Sequence, residues 1–129
     1  MSMTFEKLPY GIASFEGLIK DGFAYVDKTR FIEILEDLDT LYPIVIRPRR
    51  FGKSLVVSML KAYYDQNFAI HFSENFQGTY IEQNPPPLKG KYCVLRLDFS
   101  AIDINPLEVN FCKKMNSGMH DFFERYPIA

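Results

Sequence analysis

The chain has 129 residues, enough for one core and too few for two domains. Hydrophobic residues make up 47% and charged residues 24%, which excludes a disordered or fibrous chain. Fifteen basic side chains against 16 acidic leave a net charge of −1, so any contact with polyphosphate must come from a local cluster.

The opening Met1-Ser2-Met3-Thr4-Phe5-Glu6-Lys7 has no apolar stretch of signal-peptide type. No run approaches the roughly 18 apolar residues of a membrane span, and a soluble, cytoplasmic chain is expected. Ser14 is placed to cap a short helix, Phe15 to Lys20, which Asp21-Gly22 ends. Phe23 to Val26 is a short extended stretch. Asp27 stands at an N-cap position ahead of Phe31, Ile34, Leu35 and Leu38, predicting a second helix from about Lys28 to Leu38.

Leu41 to Ile46 is apolar on both faces and predicts a buried strand. Ser54 to about Asp65 is a helix, with Leu55, Met59 and Tyr63 on one stripe and Val56 and Leu60 beside it. Phe68 to Ile81 is aromatic and irregular. Pro85-Pro86-Pro87 followed by Lys89-Gly90-Lys91 is an exposed connection. Tyr92 to Phe99 alternates in the manner of a strand, with Cys93 expected as a small core residue. About Pro106 to Tyr126 is a last helix carrying Leu107, Phe111, Met115, Met119, Phe122 and Phe123. Gly118 costs it roughly 1 kcal/mol relative to Ala and leaves a break there open.

The segment that carries chemistry is Arg47-Pro48-Arg49-Arg50-Phe51-Gly52-Lys53-Ser54. The full phosphate loop is Gly, four residues, Gly, Lys, then Ser or Thr. Gly52, Lys53 and Ser54 match its last three positions, and Arg47 stands at the first glycine position. A glycine lets backbone approach a phosphate, the lysine supplies a point charge, and the serine hydroxyl suits Mg²⁺. The helix starting there aims its free N–H groups at the same spot. A bare Gly-Lys-Ser/Thr arises by chance in about one chain in twenty of this length, so the flanking strand and helix pattern matters. The alternative is a solvated basic turn.

The string Arg47-Pro48-Arg49-Arg50-Phe51-Gly52-Lys53-Ser54-Leu55 is similar to the signature of the AAA-ATPase-like family, whose loop carries arginine in place of the first glycine. Leu8-Pro9-Tyr10-Gly11-Ile12 and Tyr25-Val26-Asp27-Lys28-Thr29-Arg30-Phe31 resemble that family's opening. Val94-Leu95-Arg96-Leu97-Asp98-Phe99-Ser100 resembles its second sheet strand. The resemblance implies an α/β, P-loop NTPase-like fold with an incomplete parallel sheet flanked by helices. It implies ATP and Mg²⁺ as cofactors, held by a variant Walker A loop. Arg49, Arg50, Phe51, Gly52, Lys53, Ser54 and Leu55 would bind nucleotide, and Ser54 would touch the metal. Tyr25 and Asp27 would lie near the adenine, or else serve as core residue and helix cap.

The family's later acidic strand has no match, and Asp98, followed by Phe99-Ser100, is a weak substitute for it. The expectation is therefore an N-terminal ATPase portion that binds ATP but hydrolyses it slowly or not at all. The loop strand and the second strand are expected to be separated by a gap. No segment matches the PD-(D/E)XK nuclease domain found in many relatives. His71 and His120 lack a Ser or Cys partner. Two readings compete with nucleotide binding: a module that grips a nucleic-acid backbone through Arg47, Arg49, Arg50 and Lys53, and a folded remnant without a ligand.

Overall fold

The computed structural model describes residues 7–38 and 40–127, which fall into two compact units, 1–92 and 93–129. The first unit is helical. α1 (Phe15–Lys20) starts where Ser14 accepts the Gly17 amide at 3.3 Å, and Gly22 beyond its end takes φ 66°. α2 spans Arg30–Asp37 and α3 Lys53–Tyr64. The Phe15 amide donates to the Ser58 hydroxyl at 3.0 Å, tying α1 to α3.

An aromatic core sits between them. Phe15, Phe76 and Tyr63 are almost wholly buried, with ring centroids 4.9 Å apart for Phe15–Phe76 and 5.8 Å for Tyr63–Phe76. Ile32, Met59 and Ile81 complete it. The demand for that burial explains the stretch whose sequence is irregular. It folds as a 3-10 helix (Gln66–His71), α4 (Phe72–Asn75) and α5 (Tyr80–Gln83), turning Phe72, Phe76 and Ile81 inward. Asp65 starts the first of these by accepting the Asn67 amide at 2.9 Å.

The start of α2 is a junction. Thr29 is its N-cap, two residues inside the expected Asp27. The Asp27 carboxylate accepts the Thr29 amide at 2.8 Å, the Thr29 hydroxyl at 2.7 Å and the Tyr80 amide at 2.6 Å. The buried Thr29 hydroxyl in turn accepts the Ile81 amide at 3.2 Å. One short segment thus supplies the acceptors for the first turn of α5.

The expected parallel sheet is absent. Among the described residues there is no strand, only isolated bridges pairing Lys7 with Phe23 and Asp65 with Tyr92. A strand exists only as one side of a pair, because its backbone N–H and C=O groups need a neighbour. The run Leu41–Ile46 has none, and Leu41, Ile44 and Ile46 are 84–86% exposed instead of buried. At the start of the second expected strand, Tyr92 exchanges hydrogen bonds with Tyr64 and Gln66, at the end of α3. The α/β, P-loop-like fold class is therefore corrected to a helical one. Cys93, expected in a core, is exposed, since no sheet face exists for it to occupy.

In the second unit α6 (Leu107–Arg125) runs unbroken through Gly118. A Cβ there would come within 2.6 Å of Leu97 Cδ2, so any larger residue would make that leucine side chain shift. Phe99 stacks on Phe111 at 5.2 Å, and the Val94 amide donates to the Tyr126 hydroxyl at 3.2 Å. No helix among the described residues is long and apolar enough to cross a membrane.

Glu36 on α2 carries a stability prediction. Its Oε1 is buried without a hydrogen-bond partner, and desolvation pushes its carboxyl above the usual range, against the Tyr64 hydroxyl and Leu88 amide. A raised folded-state pKa gives stability that is present in acid and is lost as pH rises through that pKa. Glu36→Gln should therefore raise the melting temperature near neutral pH and leave it unchanged in acid. Solvent screening at this partly exposed residue limits the gain to about a few tenths of a kcal/mol. Melting curves of both proteins across pH test this, and a gain that persists in acid would refute the cause.

Candidate functional site

The loop that leads into α3 has two left-handed residues, Arg50 at φ 64° and Gly52 at φ 76°. Nothing lies within 4 Å of a Cβ built on Gly52, so conformation and not space calls for glycine there. The Gly52 carbonyl accepts the Val56 amide at 2.9 Å and starts the helix, but no side chain caps it. The first-turn amides and the positive end of the helix dipole are thus left for an anion. The Lys53 ammonium folds back over the loop, donating to the Arg47 carbonyl at 2.7 Å and the Pro48 carbonyl at 3.0 Å.

A cleft of about 630 Å³ opens at this loop. Arg50, Gly52, Lys53, Ser54 and Leu55 line it, so five of the expected nucleotide-binding residues come together. Residues 9–13 and Leu18 complete the wall. The sequence assigned no role to residues 9–13, although the string Leu8-Pro9-Tyr10-Gly11-Ile12 was a visible signal. Among the described residues, no carboxylate lines the cleft.

The other expected site residues lie elsewhere. Phe51, 61% exposed, borders a second, apolar cleft of about 480 Å³ with Phe31, Val57 and Leu60, and Lys53 borders both clefts. Arg49 is exposed and lines neither. Tyr25 packs its ring edge-on against Phe15 at 5.5 Å, and its hydroxyl accepts the Lys28 amide at 3.2 Å and donates to Met59 Sδ at 3.8 Å. Burial pushes the Tyr25 hydroxyl pKa up. Asp27 holds the junction of α2 and α5 described above.

Asp98 is engaged locally. Its carboxylate accepts the Ser100 amide at 2.8 Å, and hydrogen bonds from the Ser100 hydroxyl and amide lower its pKa. His71 and His120 are exposed beside Glu74 and Glu124.

The family described as "Predicted AAA-ATPase" matches residues 9–128. The "Uncharacterized protein in vnfD 5'region" of Azotobacter chroococcum mcd 1 is 42% identical over 66 residues. That match covers 50% of this chain and 13% of the relative, so this chain corresponds to a small part of the longer protein. No solved structure matches. With nearly its whole length matched, the chain belongs to the AAA-ATPase-like family.

Proposed function

We propose that the cleft at the start of α3 binds a nucleoside triphosphate, ATP with Mg²⁺, through a variant Walker A loop. The observation that carries this reading is the convergence of Arg50, Gly52, Lys53 and Ser54 on one cleft at an uncapped helix N-terminus. On binding, the Lys53 ammonium would exchange the Arg47 and Pro48 carbonyls for phosphate oxygens, which are charged and stronger acceptors. Arg50 would neutralise further phosphate charge. The Ser54 hydroxyl is the group in the cleft suited to Mg²⁺, which takes few protein ligands and keeps most of its waters. The bound metal would supply charge neutralisation across the phosphates.

Catalysis is a separate matter. Phosphoryl transfer depends on a positioned water and a metal held on both sides, and among the described residues no carboxylate lines the cleft to do either. The chain by itself is expected to bind ATP and to release phosphate no faster than background. Phosphate release assayed with Mg²⁺ checks this. A Mg²⁺-dependent rate that disappears in Lys53→Ala would show that catalytic groups have been overlooked, with Asp98 the first to test.

A second reading rests on Arg49, which is exposed outside the cleft and adds to the charge of Arg47, Arg50 and Lys53. Such a cluster suits a nucleic-acid backbone. Displacement separates the two: ATP should displace a labelled nucleotide, whereas single-stranded nucleic acid should do so only if the backbone reading holds.

A further inference from the structure

The cleft has two chemical halves. Arg50, Lys53, Ser54 and the α3 amides form a cationic, hydrogen-bonding half. Pro9, Tyr10, Ile12, Ala13 and Leu55 form the other, which offers carbon surface and an aromatic ring. A ligand matching both halves has an anionic end and a flat apolar end. Inorganic phosphate would leave the second half unused.

Tyr10 is the notable member of that half. Its side chain is 99% exposed and takes part in no hydrogen bond or ring contact among the described residues. The chain bends beside it at Gly11, whose φ of 71° a side chain would strain. By contrast, Tyr25 and Asp27, the residues that the family resemblance suggests for the adenine, have their polar groups committed. Tyr25 packs on Phe15 and Met59, and the Asp27 carboxylate holds three donors. Neither lines the cleft.

We infer that the wall formed by residues 9–13 holds the nucleobase, with the Tyr10 ring as its stacking surface. This rests on the phosphate reading of the same cleft. Among the described residues no carboxylate or carboxamide side chain lines the wall, so base edges meet no described side chain of that kind. Stacking area, rather than the edge pattern, then sets the preference, and the wall takes purines over pyrimidines.

The test compares ATP, GTP, CTP and base-free tripolyphosphate, each with Mg²⁺, by calorimetric titration of the wild type, Tyr10→Ala, Tyr10→Phe and Lys53→Ala. ATP and GTP are expected to bind alike, and both more tightly than CTP. Tyr10→Ala should weaken ATP by roughly tenfold, the scale of one lost base–aromatic stack, and leave tripolyphosphate unchanged. Tyr10→Phe should behave as wild type, because the ring and not the hydroxyl is used. Equal ATP affinity in Tyr10→Ala and wild type would overturn the inference, as would equal weakening of ATP and tripolyphosphate. Lys53→Ala separates this from the underlying reading. If it fails to weaken tripolyphosphate, the phosphate assignment falls, and the base wall with it. If only the Tyr10 arms fail, the phosphate assignment stands.

Discussion

Tyr63→Ala is expected to cost the first unit about 3–5 kcal/mol, the usual loss when a large buried aromatic is truncated. Tyr63 on α3 is 1% exposed and meets Tyr64, Phe72 and Phe76 edge-on, at 5.0, 6.0 and 5.8 Å. Without a sheet, this ring holds the short helical segments against α3. Alanine would leave a cavity bounded by other rings, which cannot collapse into it. Against a total of roughly 5–15 kcal/mol for a domain, such a loss removes much of the margin. Tyr63→Phe isolates the hydroxyl, which donates to the Pro86 carbonyl at 3.0 Å, and should cost about 1 kcal/mol. Urea denaturation of the three proteins measures both. An alanine variant as stable as the phenylalanine variant would show that the aromatic core does not hold this unit together.

The helices were legible because their determinants are local. Ser14, Gly22 and the stripe Leu55, Met59, Tyr63 each act within one or two turns, and α1 and α3 lie within a residue of where they were expected. The sheet was not. Leu41–Ile46 and Tyr92–Phe99 have the composition of strands, but composition records a preference for burial and says nothing of whether a pairing partner exists. The segment 66–83 failed in the opposite sense. Its aromatics follow no simple period because three short elements share them, and only their common target, the face of α3, gives them order. At the cleft, Gly52, Lys53 and Ser54 were legible from spacing. The facing wall at residues 9–13 was not, because it comes from chain some forty residues away. Tyr25 and Asp27 had two readings in the sequence, near the adenine or as core residue and helix cap. The edge-on contact of Tyr25 with Phe15 and the hydrogen bond that Asp27 accepts from the Thr29 amide at the start of α2 are of the second kind.

Lys53→Ala should weaken ATP by about 2 kcal/mol or more, on the order of thirty-fold, since it removes a charge-assisted contact. The substitution leaves the fold almost untouched. Among the described residues the Lys53 ammonium bonds only to the Arg47 and Pro48 carbonyls of its own exposed loop, and alanine is a better helix former at the start of α3. An affinity loss with unchanged melting temperature therefore reports on the contact and not on unfolding. Lys53→Arg is a sharper comparison. It keeps the charge but replaces a compact ammonium with a wide planar fork, and it should recover only part of the affinity.

The most direct test of a nucleotide cleft at the start of α3 is calorimetric titration of Mg²⁺-ATP into wild type and Lys53→Ala under matched conditions, with melting curves to confirm that both are folded. Saturable one-site binding by the wild type, weakened about thirty-fold or more in Lys53→Ala, is the expected result. Equal affinity in the two folded proteins, or no binding by the wild type, would contradict it.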